Sequence, residues 1–133
     1  MIAGRLGREA MAADIFALAE RRLEWIDQRQ RVLAQNIANA DTPAYQARDM
    51  SPFEKLLSTA PITPTVTNAM HLAGRVSEAS LTSLMPSERA PDGNAVNVEN
   101  ELTKVARDET DSALVGNLWK SYMGLYLSAL GKG

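Results

Sequence analysis

Between Phe16 and Ala40 apolar or small residues recur every three or four positions, and the pattern then stops at Asn39-Ala40-Asp41-Thr42-Pro43. Phe16, Ala19, Leu23, Ile26, Leu33, Ile37 and Ala40 form the series, with Gln30 its polar exception. That spacing places them on one seam of an α-helix. Pro43 has no backbone N–H to continue the helix and biases Thr42 toward an extended conformation. Asn39 and Asp41 hydrogen-bond nearby backbone readily and tolerate left-handed geometry. The chain is therefore committed to a long first helix, over about 12–40, that ends abruptly near Ala40.

A second long helix is expected over about 98–130. Asp92-Gly93-Asn94 reads as a turn, Asn97 as an N-cap, and Glu99 and Glu101 fall in the first turn, where the helix dipole favours acids. The capping box is imperfect, because Asn100 occupies the position that Glu or Gln would hold. Val98, Leu102, Val105, Ser112, Gly116, Trp119, Met123, Tyr126 and Leu130 follow at intervals of three and four, with Glu109 as the polar exception. A period near 3.5 is that of a coiled-coil seam. Between the helices, over about 51–97, Pro52, Pro61, Pro64, Pro86 and Pro91 with Gly74 and Gly93 interrupt any helix repeatedly. Phe53 to Leu57 reads as a short helix there, and Thr63 to Thr67 as extended. The fold class expected is all-α: two long helices packed as an antiparallel coiled-coil hairpin, with a long irregular Pro-rich middle, in a single domain over 1–133.

This hairpin is thin. A helix of about 30 residues is about 45 Å long, and only 5% of the 133 residues are aromatic, which points to a narrow seam between elongated helices. Past Ala113 the second helix is apolar on more than one face, through Leu114, Val115, Leu118, Trp119, Tyr122, Met123, Leu125, Tyr126, Leu127 and Leu130. One partner helix cannot cover all of that, so other subunits are expected to do so.

Composition removes several function classes. A formal charge of -2 offers nucleic acid no general attraction. Arg21, Arg22, Arg29 and Arg31 alternate with Glu20, Glu24 and Asp27, which reads as a solvated helix face. With no Cys, disulfides and thiolate zinc sites are excluded. His71, the single histidine, has no neighbouring ligand set, so no metal or other cofactor is expected. The acidic group Asp108, Glu109 and Asp111 reads as a solvated or inter-subunit polar face, because adjacent carboxylates on a helix diverge. No nucleophile elbow frames a Ser, and a two-helix chain makes no pocket for a small-molecule substrate, so no catalytic residue is expected. The amino end carries charges where a secretory signal needs an apolar core, and no run of 18 apolar residues exists. Residues alone leave two readings open: a structural assembly subunit, or a small helical-hairpin adaptor or chaperone that binds a partner helix.

The run Asn36-Ile-Ala-Asn-Ala-Asp-Thr-Pro-Ala-Tyr-Gln-Ala-Arg-Asp49 resembles the Asn-rich element that bacterial flagellar axial proteins carry after their first helix. Ala40-Asp41-Thr42-Pro43 and Ala47-Arg48-Asp49, with Gly93-Asn94-Ala95-Val96-Asn97-Val98-Glu99 at the start of the second helix, resemble the proximal-rod branch of that family more narrowly. Two departures stand out: Ala44 where the family usually has Gly, and Gln46 where Lys is common. The resemblance implies a structural subunit of the proximal rod of the flagellar basal body, in the drive shaft that carries torque from the membrane ring to the hook. It implies a rod motif of Asn36, Asn39, Asp41, Thr42, Pro43, Tyr45 and Arg48. It also implies an assembly seam drawn from Phe16, Leu23, Ile26, Leu33, Ile37, Leu102, Val105, Trp119, Met123, Tyr126 and Leu130. The implied partners are other rod proteins and further copies of the chain, the adaptor joining rod to membrane ring, the ring itself, and the flagellar type III export apparatus, which passes such subunits without a cleaved signal peptide. Phe53 and Leu57, four apart on a helical turn, resemble an element implicated in docking to the export gate, and also read as a short amphipathic helix packed on the hairpin.

Overall fold

The computed structural model describes residues 2–59, 81–83 and 96–131. Helix α1 runs Ile2–Ala38, strand β1 Arg48–Met50, helix α2 Phe53–Thr59, strand β2 Leu81–Ser83 and helix α3 Val98–Ala129. Helix α1 begins ten residues before the expected Ala12, at Ile2. Its first turns are rich in Ala, Leu, Met, Arg and Glu, which favour helix enough to carry Gly4 and Gly7. These turns are peripheral: Gly4, Gly7, Glu9, Ala10 and Met11 are all exposed.

Helix α1 ends where the sequence predicts. Its last turn tightens, with the Asn39 N–H shared between the carbonyls of Gln35 and Asn36 and the Ala40 N–H given to Ile37. Asn39 Nδ2 also caps the Gln35 carbonyl at 2.8 Å, and Thr42 Oγ1 donates to Asn39 Oδ1 at 3.2 Å. The Tyr45 N–H then closes on the Thr42 carbonyl at 3.2 Å. That turn has Pro43 second and Ala44, at φ 62°, third, the backbone of a type II turn. Ala44 thus adopts the left-handed geometry that Gly takes without penalty.

Helix α3 begins at the predicted cap: the Asn97 side chain accepts from the Asn100 N–H, with Glu99 and Glu101 in the first turn. It ends with the Gly131 N–H on the Ser128 carbonyl at 3.0 Å and Gly131 at φ 70°, a glycine-terminated Schellman-type end.

Between the long helices the described residues form three short elements. The short helix expected from Phe53 extends to Thr59, and β1 pairs antiparallel with β2 in the register Arg48↔Ser83, Asp49↔Thr82 and Met50↔Leu81. The extended segment expected at Thr63 to Thr67, and His71, lie outside the described residues.

Helices α1 and α3 pack together along much of their length. Their contacts run in opposite chain order: Asn36 meets Glu101, Arg29 meets Asp108, Arg22 meets Asp111, and Phe16 meets Trp119, Tyr122 and Tyr126. The core sits near the junction, where Trp25, Ile26, Met50 and Phe53 are buried together against Val32, Leu56 and Leu57. At the other end the helices touch mainly through aromatic edges, with Phe16 centroids 5.5 Å from Tyr122 and 5.8 Å from Trp119.

Candidate functional site

The Asn-rich motif folds around one side chain. Asn36 is fully buried at the last turn of α1, and its amide makes hydrogen bonds from both of its ends. Nδ2 donates to the Arg48 carbonyl at 2.6 Å and to Glu101 Oε2 at 2.8 Å. Oδ1 accepts from Tyr45 Oη and from the Arg48 N–H, both at 3.0 Å. Two donors and two acceptors exhaust what an amide offers. Asn36 therefore ties α1, the turn, β1 and α3 together at one point, and no apolar residue of similar size could satisfy those four partners.

One helical layer away, Arg29 does the same with charge. Its Nε and Nη2 hold both oxygens of Asp49 at 2.8 and 3.0 Å, and its Nη1 donates to Asp108 Oδ1 at 2.9 Å. The forked guanidinium suits a two-carboxylate site as an ammonium would not. Lys104 adds a second cation, 2.8 Å from Glu101 Oε1 and 3.7 Å from Asp49 Oδ2. Further along, Arg22 pairs with Asp111 at 2.9 Å and lies over the rings of Trp25 and Phe53. The Trp25 indole N–H donates to the Ser51 carbonyl at 3.0 Å, fixing the approach to α2.

The hydrogen bond from Arg29 to Asp49 raises the guanidinium further above its ordinary value, against the opposing effect of burial. Burial by itself pushes the Asp49 carboxyl up, but Arg29, the Met50 N–H and Lys104 together outweigh it and hold the group below the usual range. Asp108 goes the other way: burial dominates and raises it, the Asp49 charge adds to the rise, and Arg29 only partly offsets them. Its Oδ2 is buried without a hydrogen-bond partner among the described residues.

These contacts correct the sequence reading of the charges. Arg22 and Arg29, expected on a solvated face, are half-buried and paired across the helices. Asp108 and Asp111, expected to face solvent or another subunit, turn inward onto these arginines, and only Glu109 of that group is exposed. Arg22 and Arg29 stand seven apart on α1 and Asp108 and Asp111 three apart on α3, spacings that keep each pair on one helix face. That spacing was the available signal, but a solvated face carries the same residue types.

Of the expected seam, Ile26 and Leu33 are buried, and Phe16, Leu23, Ile37, Val105, Trp119, Met123 and Tyr126 are partly so. Leu102 and Leu130 are exposed. At the start of α3 the inward position belongs instead to Glu101, whose partners Asn36 and Lys104 hold it there. In the rod motif Tyr45 and Arg48 bond Asn36, while Asn39 and Thr42 shape the turn with Asp41 and Pro43 exposed. Phe53 is buried and Leu57 half-buried on the junction core.

The other half of the helix pair leaves an apolar surface. A cleft of ≈ 580 Å³ is lined by Ile15, Phe16, Leu18, Phe53, Val115, Leu118 and Trp119. A second, of ≈ 530 Å³, continues past Tyr122 to Met11, Leu125, Tyr126 and Leu130. Leu118 and Leu125 are 60% and 69% exposed, so α3 presents an uncovered apolar stripe. Among the described residues no helix is long and apolar enough to cross a membrane.

A buried asparagine joining a helix end to its returning strand, a helix pair locked at that end, and open apolar clefts at the other define an elongated assembly subunit. Residues 18–46, which span the lower part of α1 and the junction turn, match the family of flagella basal body rod proteins. The flagellar basal body rod protein FlgB of Agrobacterium fabrum is 33% identical over 124 residues, covering 85% of this chain and 90% of that protein. FlgB of Salmonella typhimurium is 32% identical over 114 residues, covering 77% of this chain and 80% of its own length. FlgB of Escherichia coli is 39% identical over 90 residues, 59% of this chain and 65% of that protein. The chain belongs to the FlgB family of flagellar basal body rod proteins. That membership decides between the two readings left open by residues alone, in favour of a structural subunit of the proximal rod and against the adaptor.

Proposed function

We propose that α1 and α3 form an antiparallel coiled-coil hairpin, within a single rod-core domain, whose junction end is rigid on its own and whose apolar end is completed by neighbouring subunits. The opposite order of the α1–α3 contacts supports the hairpin. The observation that carries the assembly reading is the exposed stripe of Leu114, Leu118 and Leu125 beside Ile15 and Leu18. A patch of that kind on a soluble chain is covered in use. Growth of a rod requires two different patches on the contacting sides of each subunit. The partners are further copies of this chain and other rod proteins, with the rod-to-ring adaptor and the ring at its base. The chain is placed in the rod across the periplasmic space after passage through the type III export apparatus without a cleaved signal. It has no catalytic role, and torque passes through packed side chains.

Ordering backbone costs about 1–2 kcal/mol per residue, and the aromatic end buries little to offset it. The free chain therefore orders that end on assembly, while the polar ladder holds the junction. Phe53 and Leu57 serve packing in this folded state, so any docking to the export gate belongs to the unfolded chain.

Mass spectrometry of purified hook-basal bodies from cells carrying a tagged copy tests the reading. Enrichment with rod and hook components is expected. Recovery in the soluble fraction alone would overturn it.

A further inference from the structure

Arg22, Arg29 and Asn36 stand seven apart on α1, one position of three successive heptads, and Glu101 and Asp108 stand seven apart on α3. They meet in opposite order, Asn36 with Glu101 and Arg29 with Asp108, and Arg22 reaches Asp111. A ladder with a seven-residue period does not define a unique register. Sliding α3 by one heptad, about 10 Å, in one direction sets Arg29 against Glu101 and Arg22 against Asp108, still cation to carboxylate. Sliding the other way sets Arg29 against Val115, one turn from Asp111, and Arg22 against Tyr122, where α3 offers it no carboxylate within a turn, so only the first slip keeps both arginines facing a carboxylate of α3. One alternative register is therefore compatible with the charges.

The bond that separates the two is the donation from Asn36 Nδ2 to Glu101 Oε2, made at 2.8 Å between two buried groups. We propose that the charged ladder gives this helix pair a second accessible register one heptad away, and that Asn36 selects the first. The other bonds of Asn36, to Tyr45 and Arg48, travel with α1 and do not distinguish the registers. A leucine at position 36 shifts the balance toward the second. In the first register it faces a buried Glu101 left with Lys104 alone, and in the second that carboxylate gains Arg29. The Phe16 contacts with Tyr122 and Tyr126 also favour the first register, so Phe16 is kept in every variant.

The chain has no Cys, so engineered pairs report register without competition. Ala19 and Val115 line one cleft in the observed register. Ala12, seven residues before Ala19, takes its place opposite Val115 after the slip. In the full-length chain under mild oxidation, Ala19→Cys with Val115→Cys is expected to cross-link and Ala12→Cys with Val115→Cys is not. Adding Asn36→Leu should shift the ratio of the two cross-links at least about tenfold toward the second pair, the scale of one buried charge-assisted hydrogen bond. Asp111→Ala, which removes the outer ion pair of the first register alone and leaves Asn36 and Arg22, should keep the first pattern. An unchanged ratio in Asn36→Leu, loss of both cross-links in that variant, or an equal shift in the Asp111 control would each overturn the proposal.

Discussion

Ala44 shows how one residue can work against its own position. Its φ of 62° follows Pro43 in a turn whose third residue favours glycine. The left-handed penalty for a Cβ is about 1–2 kcal/mol, while glycine adds about 0.4–1 kcal/mol of unfolded-state freedom. Ala44→Gly is therefore expected to stabilise the chain by about 0.5–1 kcal/mol, read as a rise in the thermal midpoint. A lower midpoint would contradict the turn geometry. The two buried aspartates make opposite pH predictions. Asp108 has its folded value raised, so its contribution is fully present below the unfolded value and is lost as pH climbs through the folded one. Asp49 has its folded value lowered, so its contribution is present above the unfolded value and is lost as pH falls through the folded one. Denaturant unfolding across the acidic range should show Asp108→Asn gaining on the parent chain as pH rises toward neutrality. A difference between the two chains that stays constant with pH would show that Asp108 titrates as it does in the unfolded chain.

Among the elements, α3 has the clearest start. Asn97 caps it through the Asn100 N–H at 3.2 Å, and losing such a cap costs about 1 kcal/mol. Asn97→Ala should lower stability by about that amount, seen by circular dichroism at 222 nm during thermal unfolding, without moving the helix start. Asn97→Asp should restore most of it, because Asp caps equally well. The boundaries of both long helices near the junction were legible in the sequence for the same reason: capping and Pro chemistry act within a few residues. The amino-terminal start of α1 was not legible, because nothing in Ile2 to Met11 marks a beginning and the residues there only permit helix. The β1–β2 pair was not legible either. Arg48 to Met50 shows no alternation of its own, and its partner strand lies beyond a long intervening segment.

At the scale of the whole molecule, the helix pair divides into an end locked by buried polar groups and an end of open apolar clefts. Substitutions should separate these roles. Leu118 is 60% exposed, so Leu118→Asp is expected to leave the fold within about 0.5 kcal/mol of the parent. Burying that carboxylate against a neighbouring subunit is costly, so swimming should be lost and the chain should disappear from purified basal bodies. Normal motility would show that this stripe stays in solvent in the rod.

The sequence by itself determined two long helices, the abrupt stop at Pro43, the cap at Asn97 and the excess of apolar surface on α3, because periodicity and local backbone chemistry are properties of neighbouring residues. It also carried the Asn-rich junction motif. Only the tertiary structure decided which polar residues turn inward. Asn36 finds Glu101, Arg29 finds Asp108 and Arg22 finds Asp111 across separations of 65, 79 and 89 residues. A charge on a helix seam and a charge on a solvated face are the same residue until the partner that neutralises it is in place.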